Sequence, residues 1–173
     1  MDTTDLALVV LRLVVGLTFA AHGAQKAFGW WGGSGWEGWK AVMVRIGFRP
    51  AGPFAAVSMG VELAGGLLLA AGFLTPIAAL VLLGQEVVII VKSHWSRGFW
   101  NRDNGFEFPL ALFAGTVAIA LMGPGRASLD AAAGIGASEA LRLALVGLGL
   151  LGGLVTAGLP ELVRRDDEAA AGR

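Results

Sequence analysis

Cysteine is absent from the 173-residue sequence. Disulfides, thiolate metal sites and any cysteine-based redox step within this chain are therefore excluded. Charge is nearly as scarce: 15% of residues are charged, against about 25% in soluble proteins, and the deficit lies in long uncharged runs. With 55% hydrophobic residues, the chain reads as a single membrane bundle and not as a soluble domain. The formal net charge of zero leaves no global field for nucleic acid, and the basic loops lack the fold context for it. Also missing are an HExxH pair, a serine nucleophile elbow, a strand-to-helix phosphate loop and any repeat of solenoid period. Two histidines without a binding motif are weak ground for haem, and no metal site is expected.

What is present is a succession of apolar runs. Residues 6–28, 53–74, 76–92 and 107–122 each suit a membrane-spanning helix, since roughly 20 apolar residues cover about 30 Å of hydrocarbon. A fifth run, 140–159, is long enough to span, yet it is glycine-rich and carries Arg142. It is read as a fifth spanning helix, with a peripheral or interfacial helix as the alternative. The expected fold is all-α: a four-helix transmembrane bundle, a fifth C-terminal helix and a short interfacial helix after the first span. Residues 1–160 form this single bundle, and 161–173 are read as a charged, disordered tail. The start, Met-Asp-Thr-Thr-Asp, is acidic where a secretory signal carries a basic region, so the first helix is expected to stay in the membrane.

The connections carry their own signals. After the first span, Ser34 and Glu37 have the spacing of a capping box, and Trp36, Trp39, Met43 and Ile46 fall near one face. Anchoring in the headgroup region is the favoured role for these tryptophans, over a ligand-stacking platform. Between the second and third spans, Gly72 reads as a helix stop, Thr75 as a cap and Pro76 as the first helical position.

Polar residues inside the apolar runs mark the candidate site. On a helix, Arg12, Gly16, Phe19, Gly23 and Lys26 share one face, with His22 one turn before Lys26. A charge facing lipid costs at least ~2.5–3.5 kcal/mol, so this stripe is expected to face other helices or water. Hairpin order then gathers His22, Gln25, Lys26, Gln85, Glu86, His94 and Glu107 at one end of the bundle, with Glu62 deeper and Arg12 in the other half. Two readings stay open. Arg12 and Lys26 neutralise Glu62 and Glu86 and fix the helix register, or the charges form a ligand or proton site.

Basic residues of the first and third loops (Lys26, Lys40, Arg45, Arg49, Lys92, Arg97, Arg102) outnumber those at the opposite ends, where Arg126 faces Asp2, Asp5, Asp130 and Glu139. The positive-inside rule places both loops in the cytoplasm and the N-terminus outside. Anionic lipid headgroups are the simplest partner for the basic loops.

The segments HGAQKAFGWWGGSG, GVELAGGLLLAAGFLTP, GFEFPL and GPGRASLD together resemble the DoxX family of membrane proteins over about residues 6–130. The resemblance implies a four-helix membrane core, which makes the fifth run an addition. It also implies a small, multi-pass protein of the bacterial plasma membrane tied to a redox system. DoxX- and DoxD-type subunits are associated with thiosulfate:quinone oxidoreductase, and another branch with a complex joining superoxide dismutase and a sulfurtransferase. Positions matching the family are His22, Gly23, Lys26, Glu62, Glu107, Gly123, Gly125, Ser128 and Asp130.

The expected function is therefore a membrane subunit or anchor of a redox complex. Its candidate site comprises Arg12, His22, Lys26, Glu62, Glu86 and Glu107, with His94, Arg97, Arg102 and Asp130 in the loops. Quinone is the expected non-covalent cofactor. Lys26 or His22 would hydrogen-bond its carbonyl, Glu86 or Glu107 would pass protons, and Arg97 and Arg102 would attract an anionic substrate. Soluble oxidoreductase or sulfurtransferase partners and self-association through GVELAGG and GLGLLGG accompany this reading. A non-catalytic scaffold and a small transporter are the alternatives; the latter lacks visible inverted repeats.

Overall fold

A computed structural model describes residues 2–171, with side chains described as far as Glu161. Among the described residues the chain is helical and without strands.

Helix α1 (Thr3–Phe28) opens on a reciprocal capping box: Asp5 N donates to Asp2 Oδ1 at 2.9 Å and Asp2 N to Asp5 Oδ2 at 3.3 Å. It stops at Gly29, whose φ of 73° is left-handed and natural for glycine. The short helix α2 (Gly35–Arg45) follows where the interfacial helix is expected, but the Ser34–Glu37 box does not form. Ser34 is itself in the right-handed helical region (φ −72°, ψ −20°), whereas a capping serine needs extended backbone to turn its hydroxyl onto the first amides.

Helix α3 (Ala51–Ala71) contains a π-helical turn over Val61–Gly65. It ends at Gly72, after which Leu74 takes a left-handed φ of 48°. Helix α4 (Thr75–Arg97) contains a second π turn at Ile90–His94. Helix α5 (Glu107–Met122) returns across the bundle, a single turn α6 (Leu129–Ala132) folds over its end, and α7 (Glu139–Ala171) closes the chain.

Thr3–Phe28, Ala51–Ala71, Thr75–Arg97 and Glu139–Glu161 are long and apolar enough to cross a membrane. Helix α5, at 16 residues, is about 24 Å long and shorter than the rest. The fifth apolar run combines both placements weighed for it. Its early residue Arg142 lies against Gly123, and at its far end Lys92 Nζ donates to Glu161 Oε1 at 2.6 Å, so α7 runs the full height of α4. Yet 17% of its apolar window is buried, against 39–44% for the other long helices. It flanks the bundle and leaves most of its surface outward. The backbone continues helically through Pro160 to Ala171, where a disordered tail was expected; side chains beyond Glu161, and residues 172–173, lie outside the described residues.

Small residues set the helix spacing. A Cβ on Gly16 would stand 2.5 Å from the Gly66 carbonyl oxygen, and one on Gly66 would stand 2.5 Å from Ala20 N. Helices α1 and α3 thus meet backbone to backbone, as small-residue pairs allow in membranes. Gly149 and Gly153 do the same for α7 against α4, so GLGLLGG is used inside the chain. Around these contacts Phe19, Leu69, Leu82, Leu83 and Ile119 form the fully buried core. Gly16→Val is expected to force α1 from α3 and lower stability by about 1–3 kcal/mol, read as an earlier thermal unfolding midpoint in detergent.

Candidate functional site

Helices α1 to α4 deliver polar groups to a cavity of about 310 Å³ at one end of the bundle. The stripe on α1 is buried as its spacing requires, with Arg12, Gly16, Phe19 and Gly23 all inside, and it ends with Lys26 in the cavity wall. Lys26 Nζ donates to Glu62 Oε1 in an ion pair whose side chains are 14% and 2% exposed. The ammonium also stands 4.1 Å from the centroid of the Trp39 ring, a cation–π contact supplied by α2.

Glu62 occupies the π turn of α3. The extra residue in such a turn redirects the side chains within it, and these turns recur at functional positions. Helix α4 adds Gln85, whose Nε2 donates to Ser58 Oγ at 2.6 Å and reaches Glu62 Oε1 at 3.5 Å, and Glu86, 2% exposed. His22 lies on the cavity wall in edge contact with Phe108, their ring centroids 5.8 Å apart. At the mouth stand Arg45, Arg97 and His94; the His94 Nδ1 is 2.7 Å from the Asn104 carbonyl. A carbonyl only accepts, so that nitrogen is the donor.

Two features give this cavity chemical potential. It holds two buried carboxylates against one ammonium, and no cation lies within ion-pair distance of Glu86 among the described residues. In addition, Glu62 Oε2, Glu86 Oε2 and Trp39 Nε1 are buried without a hydrogen-bond partner among the described residues. Buried polar atoms are nearly always satisfied, and each exception costs about 1–3 kcal/mol. Two acceptors and a donor on three side chains that line one cavity therefore suit a polar ligand headgroup.

The structure divides the sequence-derived candidates. His22, Lys26, Glu62, Glu86, His94 and Arg97 line the cavity together. Glu107 does not line it. Its Oε2 accepts from Asn101 N at 2.9 Å and its own amide donates to the Phe99 carbonyl, fastening the third loop. Arg102 sits beside Asp103 on that loop, 81% exposed.

Arg12 and Asp130 belong to the opposite end. Arg12 neutralises neither Glu62 nor Glu86; its Nη1 and Nη2 donate to the carbonyls of Pro124 and Ala127, both at 2.5 Å. Asp130 accepts from Leu74 N at 2.7 Å and Thr75 N at 2.9 Å, so it caps α4 in place of Thr75. Asp5 adds an acceptor for Arg126 N at 2.9 Å. This end is a latch tying the GPGRASLD turn to α1 and to the Gly72 turn.

Trp39, Arg45 and Ser93 line the cavity without having been site candidates in the sequence, and Trp39 is the one that touches the Lys26 ammonium. Its position on the apolar face of α2 was visible, but burial in lipid and burial against Lys26 give the same pattern.

Polar groups buried at one end of helices long enough to cross a bilayer define a polytopic integral membrane protein with an internal polar cavity. A model of the DoxX family matches residues 7–95, which carry α1 to α3 and nearly all of α4. The chain is also 32% identical, over 136 residues, to "Uncharacterized membrane protein Rv3486" of Mycobacterium tuberculosis, covering 72% of this chain and 79% of that protein. The chain belongs to the DoxX family. No solved structure matches it.

Proposed function

We propose that the cavity receives the headgroup of a quinone and that the protein is the membrane subunit of a redox assembly. The observation carrying this reading is the convergence of Lys26, Glu62, Glu86 and Trp39, with three unpartnered polar atoms, in about 310 Å³. That volume is at the lower end of small-molecule sites and suits a ring with polar substituents.

A bound quinone supplies a two-electron, two-proton acceptor. Lys26 Nζ has protons beyond the one given to Glu62, and with Trp39 Nε1 and the ring nitrogens of His22 it can orient a carbonyl by hydrogen bonds. Glu86, lacking a counter-charge, is placed to hold a proton at Oε2 and deliver it within the cavity. His94 at the mouth is positioned to reload it from water. With no cysteine in the chain, electrons come from a soluble oxidoreductase docked at this end. The orientation that serves this role puts the basic end, with Arg45, Lys92 and Arg97, in the cytoplasm; reporter fusions at the N-terminus and at Arg102 test it.

Binding of a tail-less quinone analogue to the purified protein, followed by quenching of tryptophan fluorescence, tests the reading. Saturable binding weakened about tenfold or more by Glu62→Gln is expected, the equivalent of at least ~1.4 kcal/mol. Glu86→Gln should leave binding within a few-fold and slow quinone reduction by the assembled complex. A wild-type protein that binds no analogue removes the quinone reading and leaves the non-catalytic anchor.

A further inference from the structure

Outside the cavity, an open groove of about 550 Å³ runs between the end of α2, the end of α4 and α7. Arg45, Lys92, Ser93, Ser96, Arg97 and Glu161 line it. Lys92 and Glu161 neutralise one another. Arg45 and Arg97 have no carboxylate within ion-pair distance among the described residues, so the groove carries two uncompensated guanidinium groups.

We propose that this groove is a binding site for a phosphate-type oxyanion held between Arg45 and Arg97. The guanidinium fork matches the oxygens of phosphate in pairs, and the hydroxyls of Ser93 and Ser96 provide further donors. That set exceeds what the two oxygens of a carboxylate can accept, and it fits a tetrahedral group. The setting favours a phosphate carried by an anionic lipid. The exposed rings of Trp95 and Trp100 (64% and 57%) flank the same end of the chain, and tryptophan settles at the level of lipid headgroups. Arg45, Ser93 and Arg97 also line the polar cavity, so the oxyanion sits on its threshold. This site stands whether or not the cavity takes a quinone.

The full-length protein is reconstituted in phosphatidylcholine vesicles with and without phosphatidylglycerol, extracted in mild detergent and weighed intact by native mass spectrometry. Wild type is expected to retain phosphatidylglycerol. The R45Q/R97Q double variant should retain it about tenfold less, each single variant should fall between, and R102Q should match wild type. In a second arm, inorganic phosphate is added to protein in phosphatidylcholine alone and the unfolding temperature is followed. A rise in wild type but not in R45Q/R97Q, without lipid retention, assigns the site to a free oxyanion. Retention of lipid assigns it to a headgroup. Equal behaviour of wild type and the arginine variants in both arms overturns the proposal.

Discussion

Lys26→Met is expected to lower the stability of the bundle by about 3–5 kcal/mol, the usual cost of removing one partner from a buried ion pair. The loss exceeds the value of the pair itself. Glu62 is 1% exposed and Glu86 2%, and Lys26 is the ammonium between them. Without it, neither buried carboxylate has a cation within ion-pair distance among the described residues, since Arg45 and Arg97 stand at the mouth, and the Trp39 ring loses the charge seated over its face. The Lys26→Met/Glu62→Gln double variant should recover most of the loss, because what destabilises is an uncompensated charge and not a missing attraction. Unfolding midpoints of the two single variants and the double variant, measured in detergent, form the cycle. A double variant no better than Lys26→Met would show that Lys26 holds the fold through packing on Trp39 and not through charge.

Asp130→Asn should cost roughly 2–4 kcal/mol, with almost no volume change. Each carboxylate oxygen accepts one backbone N–H, from Leu74 and from Thr75. An asparagine must turn an amino group towards one of those amides and leave it buried without an acceptor. The damage falls on a turn already committed to an unusual backbone, since Leu74 is left-handed without being glycine. Arg12 next door gives its protons to carbonyls and cannot substitute. Hydrogen exchange should show faster opening at the start of α4 than at the Lys26–Glu62 end. Uniform exchange along α4 would mean that the latch and the cavity unfold as one unit.

The parts of this fold legible in the sequence are those where a bilayer leaves little choice. A charge inside an apolar run has to turn from lipid, so the stripe from Arg12 to Lys26 could be read from spacing alone, whereas which carboxylate Lys26 meets stayed open until the structure placed Glu62 beside it. The fate of Arg12 was harder, because counting opposite charges overlooks backbone carbonyls, and the latch satisfies it with two of them. Asp130 stood out as a candidate, but its capping role was hidden for a related reason: its partners lie more than 50 positions away and are amides, which nearly every residue has. Glu107 looked like a cavity residue because it begins a helix at the right end; a local bond to Asn101 holds it in the loop. The π turns left no trace in composition, since any residue can occupy them and packing decides where the ladder slips.

The turn at Val61–Gly65 therefore stores positional information in a count of residues and not in their chemistry. Excising one amino acid from that stretch would restore ordinary winding, keep the flanking turns in phase and redirect the side chains within the turn itself. Ser58 would keep its bond to Gln85 and Gly66 its seat on α1, while the carboxylate at 62 would lose its bearing on the lysine. Single-residue length changes should accordingly be tolerated less well here than most substitutions on the lipid-facing side of the same helix.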